Sequence, residues 1–133
     1  MREAARALTR ELTERLAAHA VPFGHWAFLR ILWQEDGLTQ RQLSELAGMS
    51  EPTTFAALNA MEEAGYVARR QTAENRKNVY VHLTARGRSL ERKLVPLAEE
   101  VNKIAVRGVP AAQVEATRRT LLAIAENLAR SPE

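Results

Sequence analysis

The stretch that decides the fold runs from Leu38 to Arg70 and is LTQRQLSELAGMSEPTTFAALNAMEEAGYVARR. It opens with the start signal of a short helix. Thr39, followed three residues later by Gln42, forms a capping box, which predicts a helix that runs to about Ala47. Gly48 then ends this helix, because glycine adopts the left-handed conformation that closes helices.

A second start signal follows at once. Ser50 is a good N-cap, and Pro52 falls in the first turn of the predicted helix, where a missing amide donor costs little. Gly65 marks the end of this helix. Two short helices joined by residues 48–50 have the spacing of a helix-turn-helix unit.

A β-hairpin is predicted directly behind the second helix. Residues 66–70 form a short segment that ends in two arginines, and Val79-Tyr80-Val81-His82-Leu83 alternates as a half-buried strand does. Residues 71–78 between them are polar and favour a turn. The hairpin in this position is a wing, so we expect a mainly α fold with a small β-hairpin wing, a winged helix-turn-helix.

Further helices flank this unit on both sides. The segment 1–20 predicts an amphipathic helix, with leucines at i, i+4 and i+8. A break at Val21-Pro22-Phe23-Gly24 precedes a helix from about His25 to Gln34 that is rich in bulky apolar residues. Behind the hairpin, helices are predicted over 86–107 and 111–129, separated by Gly108-Val109-Pro110.

The chain of 133 residues is expected to form one domain. Residues 24–88 are assigned to the winged helix-turn-helix lobe, and residues 1–20 and 89–130 to N- and C-terminal dimerisation helices. Their apolar stripes expose more leucine than one small domain covers, and a symmetric pair would bury them. Packing within the chain is the competing explanation for part of that surface.

Composition excludes several classes of protein. Cysteine is absent, which removes disulfides, thiolate metal sites and cysteine nucleophiles. Three scattered histidines and a single aspartate offer no catalytic arrangement, so we expect no enzyme activity, no metal site and no cofactor. Residues 1–15 contain no long apolar run, so we expect neither a signal peptide nor a membrane span there. We therefore expect the protein to stay in the cytoplasm.

Positive charge is concentrated in one segment. The whole chain carries +3, but residues 69–92 hold seven arginines and lysines against two glutamates, a net +5. A basic segment on a slightly acidic body is the electrostatic footprint of a polyanion binder. A solvated charged face is the commoner cause of any single run of charge.

The second helix of the unit has two different faces. At 100° per residue, Thr54, Leu58 and Met61 share the side that should face the core. Small or polar groups lie opposite and would permit close approach to a major groove, although an exposed helix side in any three-helix domain has the same appearance. These are Pro52, Thr53, Ala56, Asn59, Ala60 and Glu63.

Residues 26–90 resemble the MarR family of bacterial transcriptional regulators. The resemblance lies in the stretch quoted above and in ENRKNVYVHLTARG, residues 74–87, in this order and spacing. It implies a homodimer that binds a pseudo-palindromic operator in double-stranded DNA. The DNA-binding residues we expect are Thr39, Ser50, Pro52, Thr53, Ala56, Asn59, Arg69, Arg70, Arg76 and Lys77.

Within this set, Arg76 at the hairpin tip is expected to enter the minor groove, while Lys77, Arg69 and Arg70 hold phosphates. The family commonly has an aspartate before this arginine, where this chain has Asn75. Ala56 and Ala60 stand where many members carry basic residues. We therefore expect modest base contacts, with Thr53 and Asn59 the main polar candidates, and affinity dominated by phosphates.

The resemblance also implies control by a ligand, because small aromatic or phenolic acids often bind between the dimer helices and the DNA-binding lobe in this family. The lining residues we expect are His19, Phe23, His25, Trp26 and Arg30, although aromatic residues of a buried helix are more often core. The function predicted is a DNA-binding repressor released by such a ligand. The alternative is a winged-helix module that binds protein without specific DNA binding.

Overall fold

The computed structural model describes residues 1–74 and 77–130 and consists of helices with a small antiparallel sheet. In chain order the elements are α1 (Arg2–Ala17), α2 (Phe23–Gln34), β1 (Leu38–Thr39), α3 (Gln40–Ala47), α4 (Glu51–Glu63), β2 (Val67–Arg70), β3 (Tyr80–Leu83), α5 (Ala85–Ala105) and α6 (Ala111–Ala129). By its contacts the chain divides into two compact units, Met1–Val101 and Asn102–Glu133.

Helices α3 and α4 begin where the capping signals predict. Thr39 Oγ1 accepts a hydrogen bond from the amide of Gln42 at 3.1 Å, and the Gln42 side chain accepts one from the amide of Thr39 at 2.9 Å. Gly48 closes α3 at φ 67°, a left-handed conformation that glycine adopts without strain. Ser50 caps α4 through its side chain, which accepts from the amide of Thr53 at 3.2 Å. The predicted helix-turn-helix is confirmed.

The predicted hairpin is present, but it belongs to a three-stranded sheet in the order β1-β3-β2. Strands β2 and β3 pair antiparallel, with Val67 opposite Leu83 and Arg70 opposite Tyr80. The sequence did not predict β1, because two residues are too few to show an alternating pattern. The turn before β1 is joined to β3 by Asp36, whose Oδ1 accepts a hydrogen bond from the amide of Leu83 at 2.8 Å.

The core of the first unit lies beneath α2, α3, α4 and the sheet. Leu29, Leu43, Leu58, Met61 and Val81 are fully buried. Leu16 of α1 and Leu94 of α5 also belong to this cluster. The first unit therefore closes one continuous apolar core beneath the helix-turn-helix and the wing.

The predicted bounds of three helices differ from the structure. Helix α1 ends at Ala17 rather than at residue 20, and the chain then turns at Ala20 with φ 60°. Helix α2 begins at Phe23 rather than at His25, because Pro22 serves as its N-cap in an extended conformation and needs no amide donor there. Helix α5 spans Ala85–Ala105 instead of 86–107.

The first turn of α5 is packed tightly against the start of the wing. A Cβ added to Gly87 would lie 2.1 Å from the carbonyl oxygen of Tyr66. The Gly87 carbonyl accepts a hydrogen bond from Trp33 Nε1 at 2.9 Å, and its amide donates to Thr84 Oγ1 at 3.1 Å. Only glycine permits this approach, so residue 87 fixes the wing against the helix that follows it.

The second unit contains α6, whose bounds agree with the prediction for 111–129. Among the described residues 102–130, no residue is buried and only Val114 is half-buried. Over the described ranges 1–74 and 77–130, we find no helix with the length and apolar character needed to cross a membrane.

Candidate nucleic-acid interface

Helix α4 presents the two faces that the sequence predicts. Thr54, Leu58 and Met61 are buried. The residues predicted to face outward are all exposed: Pro52, Thr53, Ala56, Asn59, Ala60 and Glu63. These six positions carry no large side chain apart from the glutamate at the C-terminal end, and the exposed ring of Phe55 borders them.

The N-terminus of α4 is held by side-chain hydrogen bonds. Ser50 Oγ lies 2.9 Å from Thr53 Oγ1, and Thr54 Oγ1 donates to the Ser50 carbonyl at 2.9 Å. Thr39 and Ser50, both predicted to bind DNA, thus act as caps of α3 and α4. Caps stabilise a helix by roughly 1 kcal/mol, and here they orient the face that follows.

The wing carries cations on its outer surface. Arg70 at the end of β2 and Lys77, three residues before β3, are both exposed. Asn75 and Arg76 lie outside the described residues, so the expected role of Arg76 stays a prediction. Arg86, also exposed, places its guanidinium 5.8 Å from the ring centre of Tyr66.

Arg69 is occupied inside the chain. Its guanidinium donates to Glu62 Oε1 from Nη2 at 2.9 Å and from Nε at 3.1 Å, and its amide donates to Glu62 Oε2 at 3.2 Å. Nη1 donates to Gln40 Oε1 at 3.0 Å, and Nη2 also donates to Asn59 Oδ1. The same guanidinium lies 5.4 Å from the ring centre of Phe55. One side chain therefore joins α3, α4 and the wing.

The charge of Arg69 is matched locally. Its side chain is only 16% exposed, against 41% for Glu62. The hydrogen bond from the Arg69 amide, together with those from its guanidinium, holds the pKa of the Glu62 carboxyl below its ordinary value. The prediction placed Arg69 on a phosphate, whereas the structure places its donors on α3 and α4.

The residues expected to line a ligand site fall into two groups. His19, Phe23 and Arg30 are exposed, whereas His25 and Trp26 are buried. The Arg30 guanidinium lies 6.0 Å from the ring centre of Trp26, a distance at which a cation and an aromatic face attract.

His25 occupies an apolar environment. Its ring meets Tyr66 edge-on at 6.0 Å, and within the described part of the chain its Nδ1 has no hydrogen-bond partner. Burial lowers the pKa of His25, because the charged imidazolium loses its hydration there.

Comparison with known proteins agrees with this architecture. The family model described as the MarR family matches residues 24–79, which cover α2 to the start of the wing's second strand. The chain is therefore similar to the MarR family over this segment, and its fold is similar to that of a solved MarR regulator.

Similar MarR-type proteins include the HTH-type transcriptional regulator TtmR of Methylorubrum extorquens, 29% identical over 91 residues. That match covers 68% of this chain and 47% of the relative, so the chain spans about half the length of this relative. A MarR transcriptional regulator from Methanosarcina mazei is 26% identical, with a TM-score of 0.86 over 94% of this chain and 90% of that one. A MarR family regulator from Listeria monocytogenes, solved with a 26mer DNA, is 23% identical, with a TM-score of 0.85 over 94% and 83%.

Sequence reasoning missed three members of the Arg69 network: Gln40, Phe55 and Glu62. An apolar residue is normally expected to pack in the core, so nothing in the sequence indicated that Phe55 contacts an arginine. In the structure its side chain is 51% exposed. Glu62 and Arg69 are seven residues apart, on either side of the turn at Gly65, whose φ is 86°. A pairing across a turn depends on the angle at which the strand folds back, which spacing rules do not supply.

Proposed function

We propose that this chain is a regulator of the MarR type, which controls transcription by sequence-specific binding to double-stranded DNA. Helix α4 lies in the major groove and the wing in the adjacent minor groove. The observation that supports this most directly is the exposed face of α4, where Pro52, Thr53, Ala56 and Asn59 leave room for the edges of bases. A helix of this kind fits a major groove about 12 Å wide.

Charge supports the same placement. Arg70 and Lys77 are exposed on the wing beside α4. Lysines and arginines that neutralise phosphates release counterions, which makes affinity fall steeply with salt. The solved Listeria relative with its 26mer DNA shows that the fold accepts a duplex in that protein.

The proposal includes a homodimer. Several large apolar side chains near the C-terminus are exposed in the single chain: Ile104, Val106, Val109, Leu121, Leu122, Ile124 and Leu128. So many exposed large apolar side chains on one short segment are typical of a surface that another chain covers. A twofold dimer presents two copies of α4 to half-sites roughly 34 Å apart on a pseudo-palindromic operator.

The experiment that tests DNA binding is an anisotropy titration of the purified chain with duplex DNA from its own upstream region, at several salt concentrations. We expect saturable binding with a lower Kd than for an unrelated duplex of equal length. The affinity should fall as the salt concentration rises. Equal, weak binding of both duplexes at low salt would favour the alternative, a winged-helix module that binds another protein.

The finer part of the proposal is a repressor released by a small aromatic or phenolic acid. It is supported by the pairing of Arg30 with Trp26, which offers a cation for a carboxylate beside an aromatic face. Aromatic acids that raise the melting temperature of the chain should also raise its Kd for the operator, measured at the same salt concentration. Stabilisation without release, or release by no acid in the set, would contradict this part alone.

A further inference from the structure

The network around Arg69 changes what Asn59 can recognise. A guanidinium has only donors, so the amide atom of Asn59 that faces Arg69 Nη2 is the oxygen Oδ1. One lone pair of Oδ1 is therefore used inside the protein, and the oxygen end of the amide is held toward Arg69. The other end of the amide, Nδ2, makes no hydrogen bond within the part of the chain that the structure describes, and the residue is exposed.

The hold on Asn59 is firm because Arg69 is itself fixed from several sides. Glu62 accepts three hydrogen bonds from Arg69, Gln40 accepts one, and the ring of Phe55 covers the guanidinium. Charge-assisted hydrogen bonds of this kind are stronger than neutral ones, and several of them together restrict the geometry of the guanidinium. Rotation of the Asn59 amide would set its two N–H groups against a cation that has no acceptor.

An unrestrained asparagine in the major groove suits adenine, since its oxygen accepts from the adenine N6 amine while its own amine donates to N7. With Oδ1 held against Arg69, turning the amide so that this oxygen meets the adenine N6 amine would break the contact with the guanidinium. Pairing with adenine is therefore disfavoured. Guanine instead presents two acceptors, N7 and O6, on the same edge. An amine with two hydrogens matches that edge.

We propose that Arg69 is a positioning residue that holds Asn59 as a donor-only reader of guanine in the operator. This inference rests on the proposed DNA binding and adds a base preference to it. Arg69 touches neither base nor phosphate in this arrangement. It acts through the orientation of the Asn59 amide.

The test is selection of preferred sites from a random duplex library, followed by anisotropy titration of single-base variants of the selected site. The unaltered protein should select guanine at one position of each half-site and discriminate against adenine there by about ten-fold, the range of a good bidentate contact. Asn59→Asp keeps an acceptor for Arg69 but has no donor. The preference of this variant at that position should change from guanine to cytosine or adenine, because these bases present amine donors to its carboxylate.

Arg69→Met removes the donors that hold Oδ1 and should move the preference at the same position from guanine to adenine. In an Asn59→Ala background the Arg69→Met change should produce no such shift. The matched control is Arg70→Met on the same strand, whose side chain points to the opposite face. It should weaken binding to every sequence alike and leave the base preference at each position unchanged.

The outcomes separate the two proposals. If the unaltered protein selects no preferred sequence, DNA recognition itself fails and the base preference falls with it. If a site is selected but Asn59→Asp keeps the guanine preference, the inference is wrong while DNA binding stands. The inference is equally wrong if Arg69→Met weakens all sequences to the same extent, as a merely structural role predicts. Should Arg69→Met fail to fold, Asn59→Asp decides alone, because it retains the contact with Arg69.

Discussion

The helix-turn-helix unit and the C-terminal helix treat their apolar side chains in opposite ways. In α4, Leu58 and Met61 are fully buried, whereas in α6 Leu121 is 48% exposed and Leu128 is 71% exposed. The first unit thus completes a core from its own residues. The second presents its leucines to the surface, which a stable helix does when another surface covers them. On the proposed function, recognition and assembly would use different parts of one short chain.

The largest effect should come from charging the apolar face of α6. Leu121 and Leu128 are one heptad apart and share a face with Val114. The double change Leu121→Glu and Leu128→Glu should weaken the dimer by at least about 1,000-fold, because two carboxylates would be buried without partners. Sedimentation at micromolar concentration should then give a monomer.

The matched control places the same two charges on the opposite side of α6. Ala116 and Ala123 are also one heptad apart and exposed. Ala116→Glu with Ala123→Glu should leave the dimer intact. A dimer that survives the leucine changes, or that is lost equally in both variants, would contradict the contrast between the two units.

The next effect concerns the packing of the first unit. Gly87→Ala should destabilise the chain by about 3 kcal/mol, since the new methyl group meets a backbone carbonyl that has no room to move. Urea unfolding measures this loss. Gly24→Ala in α2, where nothing lies within 4 Å of the added Cβ, should be neutral or stabilise by about 0.5 kcal/mol. Equal effects of the two changes would show that the contact at residue 87 is not tight.

A smaller effect should separate recognition from assembly. Arg76→Ala should weaken operator binding by more than about ten-fold, because a guanidinium in a narrow minor groove meets a strongly negative potential. Sedimentation of the same variant should still give a dimer. An unchanged Kd would remove the wing tip from the interface, and the contrast between the units would then rest on packing alone.

Local rules predicted much of the fold. The capping box at Thr39, the cap at Ser50 and the bounds of α6 depend on neighbours within one helical turn, so the sequence contains them in readable form. The burial of Thr54, Leu58 and Met61 followed from helical periodicity. Strand β1 could not be predicted, because its two residues acquire their extended pairing only from β3.

The candidate interface was less accessible to prediction. Its outward face on α4 follows from the helical wheel, but the partners of Arg69 do not. Gln40 is 29 residues away and Glu62 is seven, and they meet only because β2 folds back along α4. Whether an arginine binds a phosphate or a group of its own protein depends on such long-range geometry. Composition and residue spacing do not predict that geometry.

The smallest effect should appear in the pH dependence of stability and tests how completely the first unit excludes water. Burial lowers the pKa of His25, so below its ordinary value of 6.5 the unfolded chain takes up a proton more readily than the folded one. The free energy of unfolding should therefore fall as the pH drops from 7.5 through 6.5 toward the lowered pKa. His25→Phe keeps a ring beside Tyr66 and should remove this part of the slope, whereas His19→Phe at an exposed position should retain it. If both variants show the slope of the unaltered chain, water reaches His25 and the core of the first unit is less closed than the contrast with α6 requires.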